Sequence, residues 1–251
     1  MLLVRHPISP IAFEALPSPI RGDLETASKQ LAQLPRISIG AVRTAPDHCF
    51  EGLAHRLSDA YVELNNPGPD LARSEAEFDA LEWFEARGEP LAGSSARSFR
   101  ESLGALNARL TNRGSTWRRG NMGLDADNAG SRIQLPGPEH IPAQLAKLRR
   151  LWSDDLGAPA LLKATVALAL TVNCHPFTDG NGRVARLLFN QWLRQGGMPV
   201  DAYFPFAEIA RRSRGGYEIA LRIVEVQGSW EPFANFVLEA LRCYRDIAEL
   251  H

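Results

Sequence analysis

Residues 160–174, ALLKATVALALTVNC, constrain the fold more than any other stretch of the chain. Apolar side chains fall nearly all round the helical wheel, and Lys163 is the one formal charge. Such a helix belongs at the centre of a bundle, since a surface helix carries only one apolar stripe. It is also well short of the roughly 20 residues that a membrane span requires. The run ends on His175-Pro176. A proline disfavours helical geometry at the residue before it, so the chain turns away just where an imidazole is presented.

Helix-period segments dominate elsewhere, and the predicted fold class is all-α, a helical bundle with at most a small β-hairpin. RGDLETASKQLAQL reads as a first helix and RISIGAVRTAP as a connection. A second helix is predicted over about 45–64, with Thr44 and Asp47 as a capping box, Pro46 in the first turn and NNPG at 65–68 as its stop. Further helices are predicted at SEAEFDALEWFEA, SARSFRESLGALNARL, PAQLAKLRRLWSDDL, GRVARLLFNQWLRQ and WEPFANFVLEALRCYRDIAEL. Residues 113–142 are rich in Gly, Asn, Asp and Pro and read as irregular chain that holds the hairpin, and the first residues, rich in proline, read as loose.

Composition narrows the function classes. Net charge is -1, from 28 basic and 29 acidic residues, so no global field recruits nucleic acid and any phosphate affinity must be local. Cys49, Cys174 and Cys243 are odd in number and lack C-x-x-C spacing, which points to a reducing compartment. Arg5, His6 and two early prolines interrupt the region where a signal peptide would be apolar. The expectation is a cytoplasmic protein without a membrane segment, and a homodimer is left open.

The loop after His175 carries the chemistry. In TDGNG, Gly180 and Gly182 permit positive φ and close approach of backbone N–H groups to a ligand. The next helix starts near Arg183, and its free N–H groups make an anion site. Arg183 and Arg186 lie three apart on one face, continued by Asn190 and Arg194, and a guanidinium fork suits phosphate oxygens. Asp179 beside phosphates calls for a cation, and Mg²⁺ prefers one or two carboxylates plus phosphate oxygens. Any of these residues alone has a bland explanation, such as a core histidine, a turn aspartate or a solvated arginine face. Their conjunction within twelve residues does not.

HPFTDGNGRVAR, His175 to Arg186, resembles the HPFx(D/E)GNGRxxR signature of Fic-domain proteins at every fixed position. GSTWRRGNMGL at 114–124, SRIQLPGPEHIPAQL and GSWEPFANFVLEAL at 228–241 extend the resemblance over about 90–245. It implies a catalytic core over 91–251 and an N-terminal helical extension over 1–90. It also implies a protein adenylyltransferase, which moves AMP from ATP to a Tyr, Thr or Ser hydroxyl of a target protein and releases pyrophosphate. By that resemblance His175 is the general base and Asp179 holds Mg²⁺. Gly180, Asn181 and Gly182 form the anion hole for the α-phosphate, Arg183 and Arg186 hold the remaining phosphates, and Tyr217 lies near the adenine. Ile133, Gln134 and Leu135 form a flap strand that pairs with the target. Many members block themselves through a Glu followed by Gly or Asn, and Glu51 is the only such residue here, so Glu51 is predicted to pair with Arg186. The alternatives are removal of AMP from a modified protein and a non-enzymatic peptide-binding adaptor.

Overall fold

The computed structural model describes residues 2–53, 71–87, 91, 94–112, 114–124, 132–153 and 157–250. The architecture is helical: α1 Ser18–Lys29, α2 Ile39–Thr44, α3 Leu71–Ala86, α4 Ala96–Thr111, α5 Ile141–Ser153, α6 Ala160–Cys174, α7 Asn181–Gln195, α8 Phe206–Arg212, α9 Gly216–Gln227 and α10 Glu231–Glu249. As its all-round apolarity requires, α6 lies at the centre, covered by α7, α5, α1 and α10. Leu161, Ala164, Ala167 and Ala169 have no exposed surface. The small residues on this helix let α7 approach closely, and α3 and α4 then pack on the other side of α7. One contiguous apolar core runs from Ile8 to Ile247 and takes in both the extension and the segment that follows it.

Helix ends follow the local chemistry. Ser95 Oγ accepts from Ser98 N at 3.0 Å and starts α4, and prolines stand in the first turns of α1 and α10, where their missing N–H costs nothing. At the other pole of the core, Phe206 on α8 meets Tyr217 of α9 and Phe236 of α10, with ring centroids 5.4 and 6.1 Å apart. This aromatic seam ties the last three helices to α7 through Phe189, 5.1 Å from Phe206.

Two expectations on the N-terminal side are corrected. The segment read as a connection contains α2, which Ser38 caps by accepting from Ala41 N at 3.0 Å. No helix begins at 45. Thr44 is the last helical residue of α2, with its hydroxyl donating back to Gly40 O, so it lacks the extended backbone that an N-cap needs. Asp47–Phe50 is a 3-10 turn, and Asp47 is drawn to Arg212 at 2.8 Å, while Arg212 also stacks 4.0 Å from the Phe50 ring centroid. Chain beyond Leu53 in that predicted helix lies outside the described residues.

A small sheet accompanies the bundle. β2 (Gly123–Leu124) and β3 (Arg132–Gln134) pair antiparallel as the expected hairpin. The segment read as loose adds a third strand: β1 (Leu2–Val4) runs parallel to β3 with Leu3 opposite Ile133, so the order is β1-β3-β2.

Gly216 at the start of α9 is a tight contact of this packing, since a Cβ there would lie 2.1 Å from the Leu53 carbonyl oxygen. Gly216→Ala is expected to destabilise the fold by about 1–3 kcal/mol, the usual cost of overpacking. Urea denaturation measures this, and an unchanged midpoint would mean that the 51–53 turn is free to move aside.

Candidate active site

The site forms where α6 ends and α7 begins. His175 occupies the left-handed region at φ 48°, a conformation that takes the chain out of the helix in one step, and its N–H still reaches Thr171 O at 3.0 Å. The exposed carbonyls at this helix end are gathered by Arg118, which is 4% exposed. Its Nε donates to His175 O at 2.8 Å, and its Nη2 donates to Cys174 O at 3.1 Å and to Pro136 O at 2.7 Å. A cation at a helix C-terminus offsets the partial negative charge there. Through Pro136 the same guanidinium fixes the base of the hairpin to the loop that follows His175.

The imidazole of His175 is half-buried, and its pKa is pushed down to about 4, chiefly by burial and secondarily by the Arg118 charge, with the Val172 carbonyl offsetting part of the effect. Nδ1 lacks a well-formed hydrogen bond among the described residues. At neutral pH this side chain is therefore unprotonated and able to accept a proton.

The loop from Phe177 to Gly182 closes on itself. Asn181 is 1% exposed, and its side chain accepts from Phe177 N and donates to Phe177 O, both at 2.8 Å. Its amide is thus committed to the loop, and only its backbone can serve a ligand. Phe177 is fully buried and packs on Trp117 with centroids 4.5 Å apart, which pins the loop to the 114–124 segment. Gly180, at φ 79°, is the N-cap of α7, and a Cβ there would strike Thr111 and Asn107 of α4 at 2.7 and 2.8 Å. Asn107 in turn donates to Asp179 O at 2.8 Å. Val184 N is bonded to Gly180 O at 3.0 Å, so the amides before it point out of the helix start with no capping side chain on Gly180.

Charged groups line this nest. Asp179 is exposed, with Oδ1 accepting from Gly180 N at 2.6 Å and Oδ2 from Arg183 Nη2 at 3.2 Å. The other end of Arg183 donates to Leu110 O. A single exposed carboxylate fits an ion shared with phosphates, and no cluster of three metal-ligating side chains exists among the described residues. Tyr217 stands at the first turn of α9 against Phe206, and its hydroxyl pKa is raised by burial and Glu218, while the charge of Arg186 acts the other way.

Arg186 does not meet Glu51. Glu51 closes the 47–50 turn on the surface, held there because Pro46 and the Asp47–Arg212 pair fix that turn to α8. Gly52 beside it is not in close backbone contact, since a Cβ there would meet only the Glu239 carboxylate, at 3.4 Å. The partner of Arg186 is Glu77 of α3, 1% exposed, which accepts from Nε at 3.0 Å and from Nη2. Burial opposes the charge of Arg186, but Glu77 outweighs it and holds the guanidinium above its ordinary range. Glu77 escaped the sequence rule because Phe78 follows it where the rule demands Gly or Asn. Arg118 and Asn107 were missed as well; a basic residue in a Gly-rich stretch and an Asn on an otherwise apolar helix face were the available signals.

The flap residues Ile133, Gln134 and Leu135 also differ from expectation. β3 is the middle strand of three, so neither of its edges is open to a target segment. Leu135 is buried rather than presented. β1 is fastened beside the site: Arg5 N donates to Gln134 O at 2.8 Å, Arg5 pairs with buried Glu225, and Asn173, two residues before His175, bonds His6 O and Ile8 N.

Residues 100–193 match the model of the Fic/DOC family. The protein adenylyltransferase fic-1 of Caenorhabditis briggsae is 32% identical over 102 residues, which is 40% of this chain and 19% of that one. The protein adenylyltransferase Fic of Drosophila melanogaster is 30% identical over 107 residues, 41% of this chain and 20% of that one. The matched stretch thus spans about a fifth of these relatives. Among solved structures, a Fic family protein from Desulfovibrio desulfuricans superposes with a TM-score of 0.57 at 21% identity, over 89% of this chain and 66% of that one. Fic-1 from Caenorhabditis elegans gives 0.56 at 20% identity, over 92% and 72%. The signature, the helical fold and the family match agree, and residues 100–193 of this chain form a Fic/DOC-family domain.

Proposed function

We propose that this protein transfers AMP from ATP to a hydroxyl side chain of a target protein, and that in the state described here Glu77 blocks it. The observation that carries the reading is the adjacency of an unprotonated imidazole at one helix end and an open anion nest at the next. His175 takes the proton of the attacking hydroxyl, whose oxygen bonds to the α-phosphorus as the bond to the β-phosphate oxygen breaks and pyrophosphate leaves. The backbone amides of Asn181 and Gly182 stabilise charge on the α-phosphate, and that of Gly180 joins them once Asp179 Oδ1 releases it. Arg183 and Arg186 lie farther along α7 and hold the departing phosphates. Asp179 would hold Mg²⁺, which supplies charge neutralisation for the pyrophosphate when bound. Tyr217 is suited to contact the adenine.

Arg186 cannot offer a phosphate its Nε–Nη2 fork while both of those nitrogens are on Glu77. Both Glu77 oxygens are engaged, which supports self-blocking over a reading in which this carboxylate orients a water for removal of AMP. An extended target segment would pair with β3 only by taking the place of β1, a general mode of peptide recognition.

Glu77→Gly is expected to tighten ATP binding and to permit labelling of self or of a lysate protein from ATP labelled at the α position. Label arriving from the γ position instead would establish a kinase. His175→Ala in the same background should cut that labelling by about 10²- to 10⁴-fold while ATP still binds.

The pH dependence has a definite sign. A histidine whose folded pKa lies below about 6.5 costs stability as pH falls from 6.5 toward 4, because the unfolded chain binds the proton more readily; at pH 7 this cost is absent. The His175 imidazole should titrate near pH 4 by NMR, with the resonance assigned through His175→Ala, and a midpoint at 6.5 would contradict its burial. Separately, Arg5 N faces β3, so by the alternation of a strand Leu3 N does too. Leu3→Pro removes that donor and should raise lysate labelling in the Glu77→Gly background; equal labelling would show that β1 does not stand in the target's way.

A further inference from the structure

The loop 196–205 between α7 and α8 belongs to no part of the signature, yet it reaches the blocked arginine. We infer that Tyr203 is a positioning residue for Glu77 and sets how firmly the nucleotide site is closed. This rests on the reading of Glu77 as the block.

Tyr203 is buried, and its hydroxyl donates to Glu77 Oε2 at 2.7 Å, the same oxygen that accepts from Arg186 Nε. Its ring meets Phe78, the residue after Glu77, edge-on at 6.1 Å. The loop that carries it is tied to α7 on either side of Tyr203. Arg194 Nη2 donates to Ala202 O at 3.2 Å, while the Asn190 side chain accepts from Phe204 N at 2.7 Å and donates to Phe204 O at 3.1 Å. Arg186, Asn190 and Arg194 form one face of α7, so the arginine to be blocked and the residues that aim Tyr203 are built on one rigid element. Arg194 adds a second hold on α3, through an ion pair with Glu85 and a guanidinium 5.6 Å from the Phe78 ring.

The consequence is a bias toward closure. When Glu77 leaves Arg186 so that a phosphate can enter, the Tyr203 hydroxyl loses its acceptor inside the core, and an unmade buried hydrogen bond is costly. Apparent affinity for a nucleotide falls with the fraction of molecules that are open, so Tyr203 lowers it without touching the nucleotide.

The test is calorimetric titration of the full chain with ATP and Mg²⁺. Tyr203→Phe keeps the ring against Phe78 and removes only the hydroxyl. It should tighten ATP binding by roughly tenfold or more, the effect of a buried hydrogen bond to a charged group. In the Glu77→Gly background the same substitution should change nothing, because the group it positions is gone; a merely structural role would act equally in both backgrounds. Tyr203→Leu, which also lacks the hydroxyl, should reproduce the tightening, and thermal melting checks that each variant is folded. If Glu77→Gly tightens ATP binding and Tyr203→Phe does not, the role of Tyr203 is overturned. Should Glu77→Gly itself leave ATP binding unchanged, the self-blocking reading fails, and Tyr203 has nothing to position.

Discussion

The one-step exit of the chain from α6 at His175 is the constraint on which the rest of the site depends. Buried all round, α6 cannot slide or rotate without opening the core, so the position of its last turn is set by packing alone. At that turn the chain enters positive φ and Arg118 gathers the carbonyls of Cys174 and His175. The same residue's N–H takes Pro176 O at 2.9 Å, and Asn181 then clasps Phe177 four residues on. Each contact lies within a few residues of the last, so the rigidity of the core is carried into the loop without a long lever. The loop joins two helix ends of opposite polarity. A base placed at the carbonyl end would gain a proton from that dipole, and burial, helped by the Arg118 charge, prevents it.

Along α7 the charges are arranged as a ladder. Arg186 and Arg194 are eight residues apart, as are their partners Glu77 and Glu85 on α3. Two turns on each helix match, so α3 lies along α7 in one register, and a shift by a residue would break both pairs together. Phe78 sits inside this register between Arg194 and Tyr203, which couples the apolar packing of α3 to its ion pairs. The helix therefore buries a carboxylate on its inner face.

That burial explains what the sequence revealed and what it hid. The central helix, the loop and the arginine face were legible because they follow from local rules: all-round apolarity, a proline after histidine, glycines before a helix start. Asn181 was read as part of the anion hole, but the clasp of its side chain on Phe177 depends on a local geometry that no spacing displays. Glu77 was invisible for a different reason. In SEAEFDALEWFEA it is one of four glutamates on a helix that looks mostly solvated, and only the distant Arg186 and Tyr203 make it a buried one. Glu51 satisfied a local pattern, yet Asp47 beside it was already claimed by Arg212. β1 was missed because three residues of strand acquire their meaning from a partner some 130 positions away.

The Glu77–Arg186 pair has the properties of a replaceable stopper. An ion pair on a carboxylate buried this deeply is weak support for a fold, because desolvation consumes much of the attraction, while removal of one partner alone leaves an uncompensated charge. Exchange of one anion for another escapes that penalty. A phosphate oxygen brought to Arg186 as Glu77 withdrew would keep the local charge balanced and would offer the guanidinium a bidentate partner of similar geometry. The net difference between the two states is then small, set by secondary contacts such as those to Phe78, Tyr203 and Arg194. A small difference is what a site needs if modest changes around α3 are to decide whether it is open.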